Sequence, residues 1–156
     1  YVWVYGDPPA APAAGGPELA SGAKLGDHIT LERIRVSSEA LAAGDVLEVV
    51  PIWRSDGEVK QSYTVFCHLV AGDGAIVAQG DGIPLVGHRP TTTWRPGEEL
   101  VDSYVLSLPE DVAPGPYELS VGMYLRETME RLPALDADGN RFADDRVVYG
   151  AIEVRP

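Results

Sequence analysis

At 156 residues the chain is long enough for one well-buried core and short for two. Its 45% apolar content excludes a disordered chain, and 17 Gly with 13 Pro and no long helical periodicity favour many short strands over helices. Acidic residues number 24 against 12 basic, a net charge of −12 that repels phosphate backbones and anionic lipid heads, so nucleic acid is not an expected partner.

The chain opens on YVWVYG, from Tyr1, which reads as the start of a piece cut from a longer polypeptide. Tyr1 to Tyr5 alternate as a short docked strand would, and their Trp and Tyr also suit a membrane interface. Asp7 to Gly22 has the Pro/Ala/Gly composition of a linker. The expected organisation is therefore a linker over residues 1–27, with a short N-terminal strand in it, and one domain over 28–156.

Ile29 to Val36 reads as the first core strand, and its pattern slips by one residue at Glu32 and Arg33, as a bulge would make it. SSEALAAGD is a connection. Val46 to Arg54 is the second strand. Pro51 cannot donate to a ladder, which predicts an edge or a bulge there. Ser62 to Ala71 and Ala75 to Gln79 form a hairpin through Gly72-Asp73-Gly74. In that hairpin Cys67, the single cysteine, sits in an apolar run and reads as a small buried hydrophobe that rules out an internal disulfide. Gly80 to Gly97 is a long loop. Glu98 to Leu108 is a strand, and Tyr117 to Arg126 alternates most clearly of all. Arg131 to Leu135, a polar turn over 136–145 and a last strand over 146–154 close the chain. The predicted fold class is all-β: an antiparallel two-sheet β-sandwich, immunoglobulin-like or jelly-roll-like, of 7–9 strands. No run of about 18 apolar residues is present to span a membrane.

Several groups of residues carry chemistry worth testing. His68 stands beside Cys67, so the two side chains point to opposite faces. An inward His68 needs an acceptor, and Asp81 or Asp102 supplies one. Trp94 either stacks on a sugar or caps the end of the sandwich, and Trp53 with Tyr63 offers a second aromatic surface. His68, Asp81, Trp94 and Asp102 are thus the candidate ligand-binding residues. Asp136, Asp138 and Asn140 copy the start of a calcium loop. Gly139 falls at its fourth position rather than its sixth, and no Glu stands at the twelfth. An Asp-Gly hairpin explains the same segment without a metal. His28, His68 and His88 are too scattered to suggest zinc. No nucleophile motif or phosphate loop is present, and no cofactor is expected.

A resemblance gives these pieces a setting. The stretches GDHITLERIRV, AAGDVLEVVPIWRS, Tyr63 to Pro133 and DADGNRFADDRVVYGAIEV resemble a domain at the C-terminal end of bacterial family-39-type membrane glycosyltransferases. That family is related to dolichyl-phosphate-mannose–protein mannosyltransferases. The most specific pieces are Phe66 with His68-Leu69, Gln79 to Pro84, Pro90-Thr91 with Trp94 and Pro96-Gly97-Glu98, Asp102 with Tyr104, Pro114 to Tyr117, Gly122 to Tyr124, and Arg131-Leu132-Pro133. In that family a membrane domain with its own carboxylates uses a lipid-linked sugar. The resemblance therefore implies a non-catalytic extracytoplasmic accessory domain. Its partners would be the membrane domain of the same polypeptide and a glycan or acceptor, and no catalytic residue carries over. Pro51 departs from the family pattern. The alternatives are a free-standing carbohydrate-binding module and a structural or adhesion sandwich acting by protein contacts.

Overall fold

The computed structural model describes residues 16–156. The docked strand expected over residues 1–5 lies outside them. The described residues hold twelve strands, two 3-10 turns and no α-helix. The strands are β1 (Glu18–Leu25), β2 (Ile29–Val36), β3 (Ala40–Leu41), β4 (Val46–Ser55), β5 (Thr64–Val70), β6 (Ile76–Gly82), β7 (Glu99–Val101), β8 (Tyr104–Ser107), β9 (Gly115–Leu125), β10 (Glu130–Arg131), β11 (Ala134–Leu135) and β12 (Val147–Val154). One sheet runs β11-β1-β2-β4, with β7 and β8 both on the far side of β4. The other runs β3-β12-β9-β5-β6, with β10 on β9. Every pairing is antiparallel except that of β3 with β12.

Alternation builds the core. Leu47, Val49 and Trp53 of β4, and Leu31, Ile34 and Val36 of β2, belong to one buried cluster with Val65, Cys67 and Leu69 of β5 and Leu119, Val121 and Met123 of β9. Each such side chain is worth roughly 1.5–3 kcal/mol when fully buried. The intervening residues face outward on the two sheets. The slip in β2 is a bulge: pairing passes from Leu31–Trp53 to Arg33–Ile52 and leaves Glu32 as the extra residue.

Three expectations change. First, the stretch read as a linker ends earlier, because Glu18–Leu25 is a strand paired to β2. Only Ala23 and Leu25 of that strand are buried, and its register shifts between Ala20 and Ala23, where Gly22 takes φ +67°.

Second, β4 lies inside its sheet and carries no bulge at Pro51, although Pro51 suggested an edge or a bulge there. The Asp102 N–H donates to the Pro51 C=O at 3.0 Å, so the side of Pro51 that lacks an N–H faces the gap between β7 and β8. The register is the same on both sides of that gap, from Ile52–Val101 to Val49–Tyr104. Thus β7 and β8 are one strand, interrupted where proline removes a ladder bond.

Third, twelve strands replace seven to nine. Some of the excess comes from that interruption and from Ala40–Leu41, which had read as connection. The stretch expected as one strand over 131–135 changes sheets across Leu132-Pro133: β10 pairs with β9 and β11 with β1.

Candidate functional site

The outward positions of β5, β6 and β9 bring together side chains far apart in sequence. Across the ladders Phe66 faces Asp81 and Gly122, His68 faces Gln79 and Ser120, and Thr64 faces Tyr124. The Phe66 ring lies over Gly122, where a Cβ would come within 2.4 Å of it, so only glycine fits. Arg131 of β10 places its guanidinium 4.4 Å above the same ring, a cation–π contact, and donates to the Asp144 C=O at 2.9 Å. Phe66 is thereby covered although it points away from the main core.

His68 stacks beside it, ring centroids 4.8 Å apart, and its Nε2 lies 3.6 Å from Asp81 Oδ1. That is an ion-pair distance and too long for a hydrogen bond. Tyr124 donates its phenol hydrogen to Asp81 Oδ2 at 3.1 Å. Burial, and then the Asp81 charge, push the Tyr124 pKa up, so the phenol stays protonated and keeps donating. Asp81 and Gln79 are exposed, and Tyr124 and Arg131 are half-buried. The result is a surface of carboxylate, amide, phenol and guanidinium on the sheet, with the buried His68 imidazole and the covered Phe66 ring beneath.

Like His68, which is buried, the other two ligand candidates are interior. Trp94 is only 5% exposed, packs on Trp53 with centroids 6.3 Å apart, and donates Nε1–H to the Arg89 C=O at 3.0 Å. Its ring faces are spent on packing, so it offers no platform to a sugar. Asp102 is 1% exposed, and its Oδ1 accepts the N–H groups of Leu85 at 2.8 Å and Ser103 at 2.9 Å. Leu85 and Val86 are held at φ 57° and 54°, left-handed values that non-glycine residues avoid. Asp102 thus anchors a strained turn. Neither its Oδ2 nor the Trp53 Nε1–H finds a partner of good geometry. Burial raises the Asp102 pKa, while the Tyr104 side chain and the two backbone donors pull the other way without cancelling it. Cys67 is fully buried, and burial pushes its thiol pKa well up, which leaves an unreactive group.

The calcium reading meets a different geometry. Asp136 Oδ1 accepts the N–H groups of Asp138 and Asn140, both at 2.9 Å. The Asp136 N–H donates to the Asn140 C=O at 2.7 Å. This is the Asp-Gly turn, with its first carboxylate committed to backbone donors. Among the described residues no three His, Cys, Asp or Glu side chains converge to hold a metal ion.

Phe66, Tyr124 and Arg131 are members of the surface group that the residue-by-residue reading did not single out. Strand parity offers the signal for the first two: Phe66 shares a face with His68, and Tyr124 lies on the polar side of the most regular strand. Arg131 reaches the surface only because the chain changes sheets just after it.

No family model and no curated protein matches the chain. Among solved structures the chain is similar to the C-terminal domain of wzt, with a TM-score of 0.45 and 17% identity, over 91% of this chain and 86% of that one. At that level of likeness neither detailed fold nor ligand carries over.

Proposed function

We propose that this domain is a non-catalytic, glycan-recognising accessory domain of a larger membrane-bound glycosyltransferase. It would stand on the extracytoplasmic side and pack on the membrane domain of the same polypeptide. The observation that carries the reading is the outward surface of β5, β6 and β9, where Tyr124 donates to Asp81 over the buried His68, next to Gln79 and Arg131. Exposed acceptors and donors on a stiff sheet suit a polyhydroxylated ligand, since each sugar hydroxyl both donates and accepts. The glycosyltransferase setting rests on the resemblance of Asp27 to Val154 to that family's C-terminal domains. The finer fold assignment, an immunoglobulin-like or jelly-roll sandwich, belongs to the same reading.

Catalysis on a sugar calls for a second carboxylate placed across the scissile bond. Here the Asp81 carboxylate already accepts the Tyr124 phenol hydrogen, which supports a binding role.

Calorimetric titration of the purified domain with oligosaccharides tests the proposal. Binding in the micromolar to millimolar range is expected, weakened about tenfold or more by Asp81→Ala or Tyr124→Ala. No binding of any glycan at millimolar concentration would sink the recognition role. Turnover of a glycoside that is lost on His68→Ala would sink the non-catalytic one. A series of apolar spans encoded ahead of Tyr1 is the expectation for the membrane setting, and a secretory signal alone would favour a free-standing module instead.

A further inference from the structure

A second hollow shares no residue with the His68–Asp81 surface. The turn between β1 and β2 and the segment 58–63 between β4 and β5 enclose a cleft of 300 Å³. Leu25, Ile29 and Leu132 give it an apolar lining, and Tyr63 adds a half-buried ring. Asp27 and Glu58 bring carboxylates to it, and Lys60 and Gln61 bring donors. Gln61 also borders a second hollow of 360 Å³ with Ser62, Leu125 and Glu127, and Leu125 is the neighbour of Tyr124 in β9.

The walls of the cleft are held by the protein itself. Asp56 takes Lys24 Nζ at 2.9 Å and His28 Nδ1 at 3.0 Å, and its N–H donates to the His28 C=O at 2.9 Å. Gly57 sits so close under the imidazole that a Cβ would come within 2.7 Å of Nδ1. On the other side Thr91 is fully buried. Its hydroxyl accepts the Tyr63 N–H at 3.0 Å and donates to the Gln61 C=O. A cleft whose walls are fixed in advance spends little of a ligand's binding energy on ordering them.

Size and chemistry narrow the occupant. The volume is at the lower end for small-ligand sites, about 300–1,000 Å³, which suits roughly one pyranose ring. Such a ring offers an apolar C–H face to Tyr63 and Leu132, and hydroxyls to Asp27, Glu58 and Gln61. The lining holds two carboxylates against one ammonium and the His28 imidazole, whose Nδ1 is turned to Asp56, within a chain of net charge −12, so a phosphate or carboxylate ligand is disfavoured. We infer that this cleft holds the terminal, uncharged sugar unit of a glycan whose next unit passes over Gln61 toward Tyr124. The inference rests on the glycan-recognising role proposed above.

An amide NMR titration of the intact chain with neutral methyl pyranosides, and with a methyl uronate for comparison, decides it. Shifts are expected at residues 25–29 and 58–63, with the uronate binding more weakly. Tyr63→Ala weakens binding about tenfold, while Tyr63→Phe keeps it within about threefold and controls for folding. Exposed Gln61→Ala gives a second loss that unfolding cannot explain. Shifts confined to residues 66–68, 79–81 and 124 would overturn the cleft assignment and leave the sheet-face reading standing. So would an absence of shifts with every monosaccharide while oligosaccharides still bind the sheet face. Tighter binding of the uronate than of the neutral sugars would also overturn it.

Discussion

Asp102 concentrates the residue-scale physics. A carboxylate that is 1% exposed carries a charge away from water, and its pKa rises because burial penalises the ionised form. The folded protein therefore holds that proton more tightly than the unfolded chain does. This stability is fully present at pH below the unfolded pKa and is lost as the pH rises through the raised folded value. Glu98 and Asp145 act in the opposite sense. Hydrogen bonds from Arg89 and Arg141 hold their carboxyls below the usual range, so their contribution is present at neutral pH and lost as the pH falls through the lowered folded values. Asp102→Asn removes one titration and leaves an acceptor for Leu85 N–H and Ser103 N–H. The urea midpoint of the native chain relative to this variant is expected to rise as the pH is lowered from neutral into the acid range. A gap that is constant with pH would mean that Asp102 titrates alike in both states. Asp102→Ala strips the acceptor from two backbone donors and costs about 1–3 kcal/mol, read from the same unfolding curves at neutral pH.

At the scale of elements, legibility follows burial. The strands β2 and β9 are readable because each turns one side to the shared core and alternates accordingly, β4 and β5 because they are short apolar runs buried almost throughout, and Glu32 announces its own bulge. Strand β1 was not readable. ELASGAKL buries two side chains and carries Gly22 at a left-handed position, so its composition is that of a linker. Pro51 misled for an instructive reason. A proline is costly in a ladder only on the side where its N–H would donate, and here that side meets Asp102–Ser103, where the neighbouring strand is already broken. The ordering of cause and effect can be tested. Pro51→Val supplies the missing N–H opposite Asp102 without changing the register. The new backbone amide at position 51 is expected to exchange slowly, with a net stability change within about 1 kcal/mol. Rapid exchange there would show that the gap between β7 and β8 has another origin. The candidate surface was half legible. Adjacency to Cys67 placed His68 on one face or the other, whereas the arrival of Arg131 over Phe66 depends on a sheet change that no local pattern announces.

On the scale of the whole molecule, both sheets carry covered apolar groups on their outer sides. On the first sheet Val50 and Ile52 are fully buried with Val101 beside them, next to ion pairs that link Arg33 and Arg35 to Glu18 and Arg54 to Glu32 and Glu99. On the second, Phe66 lies under Arg131. The basic residues are thus largely occupied close to home, while acidic residues exceed them by 12 and repel one another over longer distances. Salt separates the two effects by range. Screening at about 0.1 M acts beyond roughly 10 Å, so it relieves the general repulsion before it weakens contact pairs. The melting temperature is accordingly expected to rise as NaCl goes from about 0.05 to about 0.5 M. Calcium adds a sharper comparison, because a specific site would stabilise by mass action beyond any screening effect. Asp136 Oδ1 already accepts two backbone N–H groups, and removing it to coordinate a cation would break the turn that those bonds close. Calcium chloride and sodium chloride matched in ionic strength should then give the same melting temperature. A rise that saturates with calcium alone, and disappears on Asp136→Ala, would show instead that the turn reorganises around a bound ion.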